Sequence, residues 1–410
     1  DGETSYASIQ LSQNKYFCLQ ATIDNVSPAS SIRSYIPGNY NGDSMDNLYN
    51  IGGAGNNNQM VAGIINANSG TTVNFTVNCE ASLDGNPVRI KGLVIADAES
   101  LSSSEELKVS ADGDWKVIEV KKNIGAGSYE IEKNNIAGTV QEVHLFNGND
   151  NNTAAITVLS FNETAYDTEA NNYEISFNVE VKGAGLTAIA LGLLMPELDR
   201  GDAPESYGEA LHIIDNTEFS SDQIPLSTTV NLNTSTYTPA TEIPATNISY
   251  LGSTPPDRDF NTQYSVDALG DDNDGGPTAE EDVLPANLKR FYYRNFNYVA
   301  GETFQVDVPY TTVDPSYLQA WIDFNVNGTF EAGEGVMQAL TPGTGTATLS
   351  WTVPNDVKIL PTYLRLRLSD NYYGMLTPEN TLLKGEVEDH RMYVVKPAMV
   401  NPFIPSVTQE

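Results

Sequence analysis

The stretch Tyr173-Glu174-Ile175-Ser176-Phe177-Asn178-Val179-Glu180-Val181 decides the fold class. Its apolar and polar residues alternate one for one, and successive side chains of a β-strand point to opposite faces, so the pattern is typical of a strand with one buried face. The same alternation recurs in Val73 to Cys79, in Phe304 to Val308 and in Leu364 to Leu368. No segment has convincing helical spacing over more than about two turns, so the sequence predicts an all-β protein of sandwich type.

Length and composition divide the chain into segments. A chain of 410 residues is too long for one ordinary hydrophobic core. Strand alternation gives way after Met195 to a loop-rich stretch of Pro, Thr, Asp and Gly, and it resumes at Phe291. We therefore predict two β-sandwich domains joined by a loop-rich connector. The predicted boundaries are 1–196 for a ligand-binding sandwich, 197–285 for an acidic connector packed on a neighbouring domain, 286–396 for a second sandwich and 397–410 for a linker or tail.

The charge balance excludes two classes of partner. The formal net charge is -33, with Asp+Glu 54 against Lys+Arg 21, and the resulting negative field repels nucleic acid and anionic lipid headgroups. The longest apolar run, Leu186 to Met195, is about half the length that a membrane span needs. We therefore expect no nucleic-acid binding and no direct membrane insertion.

The segment Asp323 to Glu334 has the sequence of a calcium-binding loop. In that pattern oxygen-bearing residues at alternate positions converge on the ion, a central glycine permits a sharp bend, and a final glutamate closes the shell. Because the flanks read as strands, we expect a calcium loop on a β scaffold rather than an EF-hand, and the alternative is an acidic Asn-Gly hairpin turn. The predicted ligands are Asp323, Asn325, Asn327, Thr329, Glu331 and Glu334.

Two further acidic clusters lack a fixed metal spacing. The first contains Asp271, Asp272 and Asp274 and precedes Glu280-Glu281-Asp282. A bound second metal ion and a plain solvated loop are equally good interpretations of this cluster. The second, Glu386-Val387-Glu388-Asp389, opens the last predicted strand, and we expect its carboxylates to pair with the arginines of Leu364-Arg365-Leu366-Arg367, with metal ligation as the alternative. The possible ligands of the first cluster are Asp271, Asp272 and Asp274.

Cys18 and Cys79 both lie in predicted strands of the first domain. In an oxidising compartment a bond between them would close a loop of about 60 residues and stabilise the fold by on the order of 4 kcal/mol. We expect this disulfide. Two buried free thiols are the alternative, because Cys79 shares the apolar face of Val73, Phe75 and Val77.

Patterns of catalytic residues are missing from the sequence. The 3 histidines are scattered, and metalloprotease, serine-hydrolase and Cys/His patterns do not occur. We therefore predict no enzyme; a polysaccharide-active enzyme would need a carboxylate pair facing one cleft. Arg200-Gly201-Asp202 is the integrin-binding tripeptide, but such tripeptides are common by chance, and we expect no integrin contact.

Several motifs together resemble those of a known group of surface proteins. Asp199 to Gly208 contains a GDAP-x-SYG segment, and Gly270-Asp271-Asp272 with Glu280 to Val283 matches its usual acidic continuation. Ala320 to Asn325 and Lys384 to Asp389 then look like parts of a GEVED domain. This order is similar to that of CshA-type fibrillar adhesins and their relatives among secreted and cell-surface proteins of Bacteroidetes. The resemblance implies that Asp202 of the GDAP segment serves the fold of the connector.

The resemblance implies a fold and a role for the first domain. By strand pattern and position, residues 1–196 look like the lectin-like second non-repetitive domain of those adhesins, which implies a lectin-like or jelly-roll sandwich. We expect an extracellular adhesin region on a bacterial cell surface, part of a longer surface protein or assembly, that binds a glycan or a host or matrix glycoprotein with structural calcium. The alternatives are a structural stalk or filament module without its own ligand, and a polysaccharide-active enzyme.

Overall fold

A computed structural model describes residues 2–12, 14–35, 61–68, 70–97, 101–123, 128–149, 154–183, 187–259, 261–270, 280–284, 290–292, 300–358 and 360–395. Within these ranges the regular elements are β-strands and short 3-10 helices, which confirms the predicted all-β fold. None of the helices in these ranges is long and apolar enough to cross a bilayer. The chain forms two compact units, residues 1–196 with 217–244 and residues 197–216 with 245–410.

The strands are numbered along the chain. The first part contains β1 (Glu3–Ser12), β2 (Lys15–Ser27), β3 (Ile32–Tyr35), β4 (Val61–Asn66), β5 (Thr72–Leu83), β6 (Asn86–Val88), β7 (Gly92–Asp97), β8 (Glu106–Ala111), β9 (Trp115–Asn123), β10 (Glu130–Ala137), β11 (Val140–Phe146), β12 (Ala154–Phe161), β13 (Ile175–Lys182) and β14 (Ala188–Leu194). The second part contains β15 (Glu197–Arg200), β16 (Ala210–Ile214), β17 (Thr217–Phe219), β18 (Thr228–Asn231), β19 (Glu242–Pro244), β20 (Tyr250–Leu251), β21 (Arg290–Tyr292), β22 (Thr303–Thr312), β23 (Ser316–Ile322), β24 (Gly335–Leu340), β25 (Gly343–Thr352), β26 (Thr362–Ser369), β27 (Asn380–Leu382) and β28 (Glu386–Val395). The 3-10 helices span Glu163–Ala165, Glu169–Asn171, Glu205–Tyr207, Ala332–Glu334 and Gly374–Leu376.

Two antiparallel sheets form the first unit. The larger has the order β1-β2-β5-β13-β8-β11-β10-β18, with β6 beside β5, and the smaller has the order β3-β4-β14-β7-β12-β9. Their inner faces meet in an apolar core, where the ring centroid of Phe177 on β13 lies 5.7 Å from that of Phe161 on β12. The first unit is therefore a β-sandwich, as its alternating sequence predicts.

Strand β13 shows how the alternating pattern sets the two faces of the larger sheet. Ile175, Phe177, Val179 and Val181 are all buried in the core, while the polar residues between them turn away from it. The neighbouring strand β5 buries residues 73, 75, 77 and 79 in the same way. The outward face of the larger sheet is consequently polar across several strands.

The second unit has a layered core. A three-stranded sheet, β20-β22-β25, and a five-stranded sheet, β21-β28-β26-β23-β24, contribute to one cluster of buried apolar residues that includes Val306, Leu349 and Leu366. A further small sheet, β15-β16-β27, has a parallel pair between β16 and β27. All eight residues of β26 are buried, so both faces of the five-stranded sheet are covered at this strand.

Residues 197–285, which the sequence predicts as one connector, are divided between the units. Segment 217–244 belongs to the first unit, where β18 extends the larger sheet by pairing with β10. Segments 197–216 and 245–284 belong to the second unit, where β15, β16 and β20 join sheets. Backbone pairing with neighbouring strands compensates for the small number of apolar side chains in these segments.

The predicted disulfide between Cys18 and Cys79 is wrong, because both cysteines are free thiols in the structure. Strands β2 and β5 are neighbours, but their register places Ala21 opposite Cys79 and Ser82 opposite Cys18. A three-residue offset in a strand turns the two side chains to opposite faces of the sheet. The sequence shows that both cysteines lie in strands, but the register depends on how the strands pair.

We expect the two thiols to differ in reactivity in the folded protein. Cys79 is 4% exposed, and burial together with the negative charge of Glu174 raises its pKa to about 12. Since the thiolate is the reactive form, iodoacetamide at pH 8 should label the partly exposed Cys18 and spare Cys79. Peptide mass spectrometry checks this. Unfolding without reductant should make both thiols reactive, and continued protection of both would show a disulfide.

Candidate functional site

The outward face of the larger sheet in the first unit carries a groove of about 300 Å³. It crosses five neighbouring strands, β2, β5, β13, β8 and β11, and most of the side chains around it are polar. The lining residues are Asn25, Asn74, Phe75, Thr76, Lys108, Ser110, Glu142, Asn178, Val179 and Glu180.

A row of four polar side chains runs across the groove. Thr76 lies opposite Asn178, Asn178 opposite Ser110, and Ser110 opposite Glu142 in the register of the sheet. Directly opposed residues have Cβ atoms about 5 Å apart, so the four side chains are neighbours although they come from four strands. We call Thr76, Asn178, Ser110 and Glu142 the polar row. Its shorter members leave room between the longer side chains of Glu142 and the adjacent Lys108.

Hydrogen bonds hold several of these side chains in place. The Thr76 hydroxyl donates to Oδ1 of Asn178 at 3.0 Å and accepts from Nδ2 of Asn25 at 3.2 Å. Nζ of Lys108 donates to Oε1 of Glu180 at 2.9 Å. A polar surface whose side chains are already fixed loses little conformational entropy when a ligand binds.

Glu142 differs from the other members of the polar row. Its half-buried carboxylate accepts no hydrogen bond from the described part of the chain. Burial raises its pKa, and the positive charge of Lys108 offsets part of that shift. Glu142 therefore offers acceptor oxygens to a ligand in the groove, and a ligand hydroxyl that donates to them would replace lost hydration.

The predicted calcium loop lies in the second unit, directly after β23. Asp323 is fully buried, and its Oδ2 atom accepts hydrogen bonds from the Tyr207 hydroxyl at 2.7 Å and from the Gly328 amide at 2.9 Å. Its Oδ1 atom accepts from the Asn327 amide at 3.1 Å. Gly328 has a φ of 88°, a conformation that favours glycine, and it allows the chain to turn back around the Asp323 carboxylate.

Glu334 closes the other end of this loop. It is 6% exposed, and its two carboxylate oxygens accept from the amides of Phe324 at 2.9 Å and Glu331 at 3.1 Å. Burial and the nearby charge of Asp323 raise the pKa of Glu334 to about 7, although the amide donors oppose the shift. Two buried carboxylates thus lie close together at the start and the end of the loop.

The remaining predicted ligands are placed differently. Asn325 has a buried Oδ1 atom without a hydrogen-bond partner, and its Nδ2 atom donates to Glu331 at 2.9 Å. Oδ1 of Asn327 accepts from the amide and hydroxyl of Thr329 at 3.0 and 2.8 Å, which forms a local turn. Asn327, Thr329 and Glu331 are exposed.

The donor set of the loop fits a hard cation. The buried oxygens are the carboxylates of Asp323 and Glu334 and the unpartnered amide oxygen of Asn325, and calcium prefers such oxygen ligands. In the described ranges, no group of three or more His, Cys, Asp and Glu side chains is arranged to hold a metal ion. A calcium ion in this loop would therefore combine two carboxylates with amide, carbonyl or water oxygens.

The other acidic clusters have separate outcomes. Asp271, Asp272 and Asp274 lie outside the described residues. In the cluster Glu386-Val387-Glu388-Asp389, the Asp389 carboxylate pairs with the Arg365 guanidinium through two contacts of 2.8 and 2.7 Å, and both groups are fully buried. Arg367 instead donates from Nε to Nε2 of His212 at 3.0 Å, so the predicted pairing of carboxylates with arginines holds for one of its three acidic residues.

The integrin-type tripeptide is buried in the second unit. Arg200 is 3% exposed and donates to Glu209 at 2.5 Å, and Asp202 is 2% exposed and accepts from the Gly270 amide at 2.5 Å. A receptor cannot reach these side chains without local unfolding. Asp202 serves the fold, as the sequence predicts.

The sequence-based reasoning missed the groove and the role of Tyr207. The polar row joins residues 76, 110, 142 and 178, which only the register of four strands brings together. In the sequence, the polar residues of each alternating strand indicate an outward face of the sheet. They do not indicate which of these residues are neighbours across strands. Tyr207, in the SYG segment, donates to the first predicted calcium ligand, a role that the motif alone does not indicate.

Comparisons with known proteins identify two domains. Residues 1–195 match the family described as surface adhesin CshA non-repetitive domain 2, and residues 317–393 match the GEVED domain. Both matches confirm the resemblance seen in the sequence. Among solved structures, the N-terminal domain of the Streptococcus gordonii adhesin Sgo0707 is similar at 7% identity with a TM-score of 0.28, covering 96% of this chain and 82% of that chain. No curated protein matches the chain.

Replacing Tyr207 should destabilise the second unit. The Tyr207→Phe substitution removes the donor to the buried Asp323 carboxylate, and such a bond to a charged group contributes roughly 1.5–3 kcal/mol. Tyr363→Phe is the matched control, because its hydroxyl donates at 2.6 Å to the neutral carbonyl of Val266 and should contribute about 1 kcal/mol. Denaturant unfolding of the full chain measures both, and an equal or larger loss for Tyr363→Phe would contradict the assignment.

Proposed function

We propose that this chain is part of a surface adhesin and that its first unit binds an extracellular glycan, free or on a host or matrix glycoprotein, in the polar groove. The observation that carries this proposal is the polar row with its half-buried Glu142 carboxylate, which lies on the outward face of the larger sheet. The match of residues 1–195 to an adhesin domain supports binding as the function of that unit and a place at the cell surface or outside the cell.

The chemistry of the groove favours sugar hydroxyls. Each hydroxyl is both a donor and an acceptor, and the groove offers donors on Lys108, Ser110 and Asn178 beside carboxylate acceptors. The two carboxylates of Glu142 and Glu180, together with the net charge of -33, disfavour anionic sugars. We therefore expect neutral or amino sugars to bind better than uronic or sialic acids.

Calcium in the Asp323–Glu334 loop is the second part of the proposal. Two neighbouring buried carboxylates repel each other unless a cation lies between them. The raised pKa of Glu334 reflects its burial first and the repulsion by Asp323 second. The buried, unpartnered oxygen of Asn325 supports a ligand role for the loop. The ion would be structural, since the residues that surround it also fix the turn after β23.

One observation favours a polysaccharide-active enzyme as a second candidate. Glu142 and Glu180 both line the groove, and burial raises the pKa of Glu142, as for a general acid in glycoside hydrolysis. The adhesin family match favours binding. Release of reducing ends from a bound glycan, abolished by Glu142→Gln with binding retained, would establish the enzyme instead.

Substitutions in the polar row should weaken ligand binding. Ser110 is 7% exposed in the middle of the polar row, and Ser110→Leu places an apolar side chain where ligand hydroxyls would lie. We expect at least about tenfold weaker binding for this variant and for Glu142→Gln, since a hydrogen bond to a charged group is worth roughly 1.5–3 kcal/mol.

The test starts from a glycan and matrix-protein array probed with the full chain, followed by surface plasmon resonance on the best ligand. Glu119→Gln, on β9 of the other sheet, is the matched control and should bind like the wild type. Melting temperatures confirm that each variant is folded. Equal binding by all variants would show that the ligand binds elsewhere on the chain. A chain that binds nothing on the array would favour the structural stalk or filament module.

Calcium should stabilise the second unit. An ion that binds only the folded state, at about 100 times its dissociation constant, adds about 2.7 kcal/mol, which raises the melting temperature by several degrees. Glu334→Gln should remove the part of this shift that comes from the ion in the loop. Differential scanning calorimetry of the full chain in calcium and in EGTA measures it, with Glu119→Gln as the control. A wild-type melting temperature that EGTA leaves unchanged would show an ordinary turn.

A further inference from the structure

Strand β28 of the second unit carries charged groups on both of its faces. In its register with β26, Asp389 lies opposite Arg365, while Glu386 lies opposite Leu368 and Glu388 opposite Leu366. Since alternate residues share a face, Glu386 and Glu388 are on the same side of the sheet as the leucines of the apolar core. Both glutamates are 0% exposed.

The arginines of β26 cannot neutralise these two glutamates, because they project from the opposite face. Arg365 forms its two contacts with Asp389, and Arg367 bonds to His212 and Asn380. On the inner face, Nε2 of His390 lies 2.8 Å from Oε2 of Glu388. A protonated His390 therefore balances one glutamate at most.

Two further buried carboxylates act on the same position. Asp199 and Glu280 are 1% and 2% exposed, and with Glu388 they raise the pKa of Glu386 beyond the effect of burial itself. Oδ2 of Asp199 accepts from the amide of Val387 at 2.8 Å, which places it beside the strand. Negative charge thus accumulates around Glu386 from three different segments of the unit.

One oxygen of Glu386 has no partner. Its Oε2 atom accepts from the amide of Leu251, while its Oε1 atom is buried without any hydrogen-bond partner in the described part of the chain. A buried carboxylate oxygen without a hydrogen-bond partner destabilises the folded state. This oxygen needs a cation or a donor that the described side chains and backbone do not supply.

The surrounding segments are fixed in place. The amide of Val283 donates to Oε2 of Glu388 at 3.2 Å. Asp282 accepts from the amide and hydroxyl of Ser253 at 2.8 and 2.5 Å, which ties the acidic segment to the chain after β20. Gly252 belongs to the same contact, since a Cβ atom there would lie 1.6 Å from Oδ1 of Asp282. The segments that carry Glu280 and Leu251 are therefore anchored beside β28.

We infer that Glu386 and Glu388 bind a divalent cation, most simply calcium, inside the second unit, through the unpartnered Oε1 atom of Glu386 and with Asp199 and Glu280 close by. Hard cations accept one or two carboxylates with backbone or water oxygens, so the site does not need three carboxylates around one point. It is separate from the Asp323–Glu334 loop and does not rest on that loop or on the groove.

Counting bound ions tests the inference. Native mass spectrometry of the full chain in calcium acetate should show one calcium fewer in Glu386→Gln than in the wild type. Glu334→Gln is the matched control: if the loop also binds calcium, it loses a different ion, and the double variant loses two. If the loop binds none, Glu334→Gln keeps the wild-type count while Glu386→Gln still loses one, so the two proposals fail separately.

Melting temperatures give an independent readout, because the effect of Glu386→Gln should differ in direction between EGTA and calcium. In EGTA, Glu386→Gln should melt at the same temperature as the wild type or higher, because removing one charge relieves repulsion. In calcium it should melt lower, because the ion is lost. If Glu386→Gln does not fold, Glu388→Gln replaces it with the same expectations.

An unchanged ion count in a folded Glu386→Gln protein would overturn the inference. A variant that is more stable by the same amount in calcium and in EGTA would also overturn it, and would show that a proton rather than a metal ion neutralises the cluster.

Discussion

The alternation of side chains between the two faces of a β-strand is the constraint on which both units depend. In β13, every second side chain points into the core and the side chains between them point away from it, because the strand backbone turns successive side chains to opposite faces. When the core takes Phe177 and Val179, Asn178 and Glu180 must lie outside. Repeated over β5, β8 and β11, this constraint makes a polar face from residues that the core could not use, and the groove lies on that face.

In the second unit the same constraint has a different consequence, because both faces of β26 are buried. Polar residues on the second face cannot reach water, so they must find partners inside the protein. Arg365 and Asp389 do so with paired hydrogen bonds across neighbouring strands. Breaking such a buried pair leaves an uncompensated charge, which makes the pair essential once it is present, whatever its net contribution to stability.

Local features of the fold could be predicted from the sequence, and features that depend on strand pairing could not. The strand around Phe177 and the turn from Asp323 to Glu334 are determined by neighbours in the sequence, and both lie where the sequence placed them. The predicted disulfide is wrong because Cys18 and Cys79 face opposite sides of the sheet, and only the register of β2 against β5 shows this. The groove was missed for the same reason, since Ser110 and Asn178 meet only after β8 pairs with β13.

The claim that the outward face of the first unit is the ligand site is tested most directly by side-chain NMR. Signals of the side-chain amides of Asn25, Asn74 and Asn178 can be assigned in the full chain with single Asn→Asp variants, and Asn171, which is exposed away from the groove lining, serves as the reference. Addition of the best glycan from an array should shift the Asn178 and Asn74 signals in proportion to occupancy and leave Asn171 unchanged. Saturating glycan that shifts none of the three groove signals would contradict the claim.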